Sequence, residues 1–311
     1  MTRIRAHEIG TTIADELAIL NSLAGIPIVL APMIRADFEG TPRNYGVAVA
    51  LGSKIYLGTG NDNTYTKDWW EYDPATGLWT QKTDFGGVAR DQAIAAAVGS
   101  KIYLGTGYNG YYLKDWWEYD PATDTWTQKT DFGGSARAAA VAAALGSKIY
   151  VGTGDDTALT KDWWEYDPAT DTWTQKTDFG GSARSAAVAA ALGSKIYVGT
   201  GHDGAFTKDW WEYDPATDTW TQKTDFGGST RAAAVAAALG SKIYVGTGTD
   251  GAYKKDWWDY DPATGLWTQK TDFGGSARFA AVAAALGSKI YVGTGMDGAY
   301  KKDWFLQNWN Y

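Results

Sequence analysis

The alternation of apolar and polar positions along this chain repeats every 47 residues. Lys-Ile-Tyr begins at Lys54, Lys101, Lys148, Lys195, Lys242 and Lys289, and Asp-Trp at Asp68, Asp115, Asp162, Asp209, Asp256 and Asp303. A fixed period of this length marks a repeat architecture whose units stack to bury a shared core. The third copy shows what one unit contains. Strand a is predicted over Ala138 to Leu145, closing at Gly146-Ser147, and strand b over Lys148 to Thr153, ending at Gly154. Strand c runs from Asp162 to Tyr166 and turns at Asp167-Pro168-Ala169-Thr170; strand d runs from Thr172 to Phe179 before Gly180-Gly181. Glycine, Asp-Pro and serine mark these boundaries because they supply unusual φ values or local side-chain hydrogen bonds. Alanine in strand a favours helix in isolation. So short a run completes only about two helical turns, however, and small side chains suit an innermost strand crowded near an axis.

Composition narrows the chemistry. At 311 residues a single large domain can bury about 75% of its unfolded surface. There are 38 Gly, 17 Trp and 19 Tyr but no Cys and only 2 His, which removes disulfides, thiolate metal sites, iron–sulfur clusters and cysteine nucleophiles. A net charge of −8 argues against nucleic acid as the main partner, since phosphate recognition needs a concentrated basic face. No uninterrupted apolar run is long enough to span a bilayer, so no membrane insertion is expected. The apolar stretch from Leu17 to Met33 follows Asp15 and Glu16 and lacks a small-residue cleavage site, which makes a poor secretory signal. No cofactor or metal is expected, because a calcium site needs more clustered oxygens than one carboxylate per loop.

Four strands per unit, small residues in one and Trp or Tyr in the outer two, describe the blades of an all-β propeller. The run Ile149-Tyr150-Val151-Gly152-Thr153-Gly154, followed by Tyr166 and then Trp173, resembles a kelch repeat such as those of the galactose oxidase central domain. Thr153 is a departure, since kelch repeats usually place adjacent glycines there. WD40 repeats have a slightly shorter period, and their signature is absent. The resemblance spans residues 31 to 311. Closure follows by subtraction: five units are complete and the sixth lacks strand d, while Phe38 and Arg43 lie one period before Phe85 and Arg90. Ala31 to Phe38 is therefore predicted to pair with Asp303 to Asn308, closing a six-bladed ring of four-stranded antiparallel blades and removing an exposed edge.

Alternating strand direction puts the b-to-c and d-to-a loops at one end of the ring, here called the top. The copies differ almost only there. The first b-to-c loop residue is Asn61, Tyr108, Asp155, His202, Thr249 or Met296, and the residue after the repeated arginine is Asn44, Asp91, Ala138, Ser185, Ala232 or Phe279. The fifth loop position is Tyr65, Tyr112, Leu159, Phe206, Tyr253 or Tyr300. This pattern is compatible with a recognition surface diversified on a fixed scaffold and with drift in solvated loops. The rings suit stacking on a ligand or covering the apolar top of each blade. Arg43, Arg90, Arg137, Arg184, Arg231 and Arg278 precede the inner strands and are expected to ring the channel mouth. There they would either receive an anion or pair with the aspartates that begin strand c. The tryptophans are expected to pack blade against blade.

Enzyme function is not expected. His7 and His202 are the only imidazoles. The oxidase that the resemblance brings to mind needs a tyrosine crosslinked to cysteine, and the Ser-x-Asp-x-Gly-x-Thr-Trp box of six-bladed sialidases is absent. Residues 1–30 lie outside the repeat. Thr12 with Asp15 forms an N-cap pattern, and Ile13, Leu17, Leu20 and Ala24 share one face of a helix that ends at Gly25. This extension is expected to dock or oligomerise. The functional expectation is a non-catalytic module that binds a glycan or surface protein through its top face and is tethered by residues 1–30 to a larger assembly. An adhesin or a phage tail or fibre component at a cell surface or virion would be such an assembly, and the alternative is a structural or decoration subunit without a small ligand.

Overall fold

The computed structural model describes residues 33–34 and 36–307. The helix expected within residues 1–30 lies outside them. The described residues form six four-stranded antiparallel sheets arranged as the blades of a closed propeller. In blade 3 the strands are Val141–Leu145, Lys148–Gly152, Trp163–Asp167 and Thr172–Lys176. The register pairs Val141 with Gly152, Ile149 with Tyr166 and Tyr166 with Trp173. Strand a begins at Val141 rather than Ala138 because Ala139 adopts φ 51°, a left-handed conformation that breaks the ladder. Strand d ends at Lys176 rather than Phe179, which instead packs on Trp211 and Trp220 of the next blade.

Alanine accepts strand geometry here because six inner strands converge on an axis. The axial channel holds cavities of about 220 and about 320 Å³, both lined by the inner strands, with alanines such as Ala48, Ala95, Ala142 and Ala189 contributing to each.

Between blades the core is aromatic. The fully buried Trp163 stacks on Tyr150 at 6.5 Å and meets Tyr213 and Trp220 of blade 4 edge-on at 5.8 and 5.1 Å. The same arrangement joins Trp69 to Trp126 and Trp304 to Trp79. At the junction of blades 5 and 6, Phe273 packs against Phe305 at 5.0 Å, where the preceding junction sets Phe226 on Trp258 at 6.2 Å. Each such ring buries about 150–250 Å², so the blade junctions hold most of the apolar burial. Gly152 makes room for this: a Cβ there would lie 2.2 Å from the Trp163 ring.

The ring closes as the period implies. Met33 and Ile34 pair antiparallel with Leu306 and Phe305, giving the last sheet its outer strand. Beyond that pair, the Phe38 amide donates to the Lys302 carbonyl at 2.8 Å and the Arg43 amide to the Lys301 carbonyl at 2.9 Å.

Candidate functional site

The b-to-c and d-to-a loops share one end of the ring, and the three diversified positions of each blade are neighbours there. Short antiparallel bridges join Asn44 to Asn61 and Asn61 to Tyr65; Asp91 to Tyr108 and Tyr108 to Tyr112; Ser185 to His202 and His202 to Phe206. Phe279, Met296 and Tyr300 follow the same pattern, as do Ala232, Thr249 and Tyr253, and Ala138, Asp155 and Leu159. Under them runs a closed belt of backbone hydrogen bonds, one per blade. Tyr45 donates to Ala280, Gln92 to Tyr45, Ala139 to Gln92, Ala186 to Ala139, Ala233 to Ala186 and Ala280 to Ala233, at 2.9–3.1 Å. All six donors have φ near 50°. The belt fixes the loop bases against one another, so side chains above it are presented on a rigid frame.

The six arginines do not line the channel mouth. Their side chains are at most 1% exposed, turned away from the axis into each blade. Arg137 donates from Nη1 and Nη2 to the two carboxylate oxygens of Asp162 at 2.6 and 2.8 Å, and from Nη1 to the Thr153 carbonyl at 2.9 Å. Its guanidinium lies 4.9 Å over the Phe132 ring, and Trp164 Nε1 donates to the same aspartate at 2.7 Å. Of the two roles the sequence leaves open, the geometry is that of pairing with aspartate. For Asp115 and Asp256 burial alone would raise the carboxyl, but the hydrogen bonds and charge of Arg90 and Arg231 prevail and hold both below the usual range. A bidentate Arg–Asp pair of this kind bolts the d-to-a loop to strand c.

The diversified residues are mostly half-buried and touch one another, in most cases across blades. Tyr300 Oη donates to Asn61 Oδ1 at 3.1 Å, Asn61 Nδ2 to Asp91 Oδ2 at 3.4 Å, and Tyr112 Oη to Asp155 Oδ1 at 3.0 Å. Tyr65 meets Tyr108 edge-on, His202 meets Phe206, and Tyr253 stacks on Phe279 at 5.2 Å. Asn44 and Asp91 are only 6% exposed and support the face rather than form it, whereas Tyr253 is 41% exposed. Burial pushes the Asp91 carboxyl above its ordinary value, with hydrogen bonds from Gln92 and Asn61 opposing the shift only in part. Burial likewise raises the Tyr65 and Tyr112 hydroxyls, aided by Asp91 and Asp155 respectively, and takes Tyr45 to about 12. Among the described residues no group of three or more His, Cys, Asp or Glu is placed to hold a metal ion.

The family model of the KLHDC2/KLHL20/DRC7 Kelch-repeats domain matches residues 35–154 and 133–295. The chain belongs to the kelch-repeat family. A kelch propeller points to a protein-binding module. The solved structure titled "Structure of YjhT" superposes with a TM-score of 0.75 at 17% identity, covering 88% of this chain and 97% of that one. That similarity is one of fold. No curated protein matches the sequence.

Blade 2 departs from the other copies at four further loop positions. In blade 2, Val88 stands where blades 3 and 4 have Ser135 and Ser182, and Asn109 where they have Asp156 and Asp203. Tyr111 stands where the other blades have Thr64 or alanine, and Leu113 where they have threonine or lysine. Tyr111 is 80% and Val88 51% exposed. Aligning all six copies across the whole loop, rather than at selected columns, reveals these residues from sequence alone.

Proposed function

We propose that this kelch propeller binds a protein partner through its top face. The observation that supports this most is the pairing of chemically different residues at equivalent positions, Asn61 with Asn44 in blade 1 and His202 with Ser185 in blade 4, above an unvarying belt and bolt. Rigid scaffolds that vary only in side chains held at loop bases suit recognition, because little ordering cost is incurred on binding. The half-buried rings of Tyr65, Tyr108, Tyr112 and Phe206 and the exposed ring of Tyr253 supply apolar contact area, with polar tips on the tyrosines. Asp155, Thr249, Phe279, Met296 and Tyr300 complete the face. Residues 1–30 tether the propeller to a larger assembly.

Screening the full chain against protein and glycan arrays, beside a variant with Tyr108→Ser, Tyr112→Ser and His202→Ser, tests the site. Protein hits that weaken in the variant support it. Hits that are unchanged refute it, and hits confined to glycans replace the protein partner with a carbohydrate. The tether is tested by removing residues 1–30 and measuring mass in solution, where an unchanged assembly state refutes it.

A further inference from the structure

We infer that the loop end of blade 2 is the main docking point of the top face, and that it takes an aliphatic or aromatic side chain from a protein segment whose neighbouring residues are lysine or arginine. This rests on the top-face binding proposed above and assigns it a place and a partner chemistry.

The other blades close the loop tip with polar contacts. Thr41 Oγ1 donates to Asp62 at 2.7 Å, Ser182 Oγ to Asp203 at 2.6 Å, and Ser135 Oγ to Asp156. Blade 2 changes both members of this contact at once, to Val88 and Asn109. The hydroxyl in the other blades also accepts from the buried arginine, as Ser135 Oγ does from Arg137 Nη2 at 2.9 Å, and Val88 withdraws that acceptor; Arg90 Nη2 keeps its bond to Asp115 at 2.6 Å, so the change is tolerated structurally. It nevertheless leaves Val88 and Tyr111 exposed, next to the tip turn in which the Asn109 amide donates to the Tyr111 carbonyl at 3.2 Å. Tyr108 extends the patch inward, packing on Tyr112 at 5.3 Å and on Tyr65 of blade 1 at 6.2 Å. Nothing in the blade's own packing requires two large exposed apolar groups, and contiguous exposed apolar surface marks interaction sites.

Charge on either side selects the partner. Asp250 and Asp297, at the tips of blades 5 and 6, are each held by a lysine of the same loop, Lys254 and Lys301, at 2.6 and 2.7 Å. At that lysine position blades 1 and 3 have Thr66 and Thr160, so Asp62 and Asp156 keep their negative charge on both flanks of the neutral blade 2 tip. An apolar anchor seated on Tyr111 and Val88 with cationic neighbours facing Asp62 and Asp156 satisfies both features. An acidic segment would meet repulsion.

The test is selection of random phage-displayed peptides on the immobilised full chain, followed by affinity measurement of enriched peptides by fluorescence polarisation. Enriched sequences should carry an aromatic or aliphatic residue beside lysine or arginine. Val88→Ser with Tyr111→Ala should weaken them by about tenfold or more, and Asp62→Asn with Asp156→Asn should weaken them most at low salt. Val88 and Tyr111 are exposed and asparagine keeps an acceptor oxygen for Thr41 and Ser135 at the half-buried Asp62 and Asp156, and an unchanged melting temperature checks the fold. Loss of binding in Phe206→Ala with Tyr253→Ala but not in the blade 2 variant overturns this inference while leaving top-face binding intact. Insensitivity to both variants removes both proposals, and enrichment of acidic peptides, or of none, overturns the inference.

Discussion

Phe38 stands edge-on to Trp79, with ring centroids 5.0 Å apart and planes at 71°, and Phe85 meets Trp126 and Phe132 meets Trp173 at the same separation. The segment ahead of the first complete blade thus packs on that blade as the outer segments of blades 1 to 4 pack on their successors. Arg43 covers Phe38 at 5.0 Å, as Arg137 covers Phe132 at 4.9 Å. The junction of the amino-terminal segment with blade 1 is therefore an ordinary blade junction in its packing, although the strand pair that joins the chain ends within the last sheet spans only Met33 and Ile34 among the described residues.

From that equivalence, Phe38→Ala and Phe132→Ala should each cost about 3–5 kcal/mol by equilibrium denaturation. A costly Phe132→Ala beside a silent Phe38→Ala would mean that the amino-terminal strand does not close the ring in solution.

Arg137→Lys keeps the charge but loses the fork that meets both oxygens of Asp162. Because Arg137 is buried while Asp162 is partly exposed, and lysine keeps the charge, about 1.5–3 kcal/mol should be lost with the second charged hydrogen bond. The same bolts set the acid limit. Asp115 and Asp256 are depressed in the folded chain, burial being outweighed by their arginines. Asp250 is lowered to about 2, chiefly by its hydrogen bond from Lys254. Depressed carboxyls contribute stability that is present above their unfolded value, near ~4, and lost as pH falls through the folded value. Melting temperature should hold from neutral pH to about 4 and then fall steeply towards 2. A profile flat through that window would contradict the assignment.

Blade number, strand order and ring closure were legible because one period runs in register from Phe38 to Asp303, so the turn and packing residues of six copies check one another. The start of strand a was not, because Ala139 has no residue signature for its left-handed conformation. It is held there by hydrogen bonds to neighbouring blades that only the closed ring supplies. The arginines carried two readings since their spacing from the aspartates is compatible with either an open mouth or a closed pair. Burial on Phe132 and its equivalents decides between them. Tyr111 and Val88 were written in the sequence but lay outside the columns where diversity is most obvious.

Asp91 is a buried carboxyl where the equivalent residues are Asn44, Ala138, Ser185, Ala232 and Phe279. Burial raises it, so the folded chain holds that proton more tightly than the unfolded chain does. Its contribution is therefore most favourable at acid pH and is lost as pH rises. Asp91→Asn cannot ionise and should melt higher than the parent at neutral pH, with the difference shrinking as the solution is acidified. A constant difference, or a variant less stable at neutral pH, would show that the hydrogen bonds from Gln92 and Asn61 outweigh desolvation.

Thr153 sits where kelch repeats usually place a second glycine, and it pays for the exchange in conformation. Its φ is 56°, its side chain is fully buried, and Oγ1 has no hydrogen-bond partner among the described residues. A β-branched residue held there costs about 1–3 kcal/mol, and a buried unsatisfied hydroxyl a further 1–3 kcal/mol, roughly. Glycine removes both while forfeiting about 0.8 kcal/mol of methyl burial and about 0.5–1 kcal/mol of backbone entropy. Thr153→Gly should therefore stabilise the chain by about 1 kcal/mol, and Thr247→Gly, in another blade, should add to it independently. The Thr153 carbonyl that receives Arg137 Nη1 at 2.9 Å is backbone and survives the substitution. A destabilised variant would mean that methyl packing outweighs strain and the unmet hydroxyl at this turn.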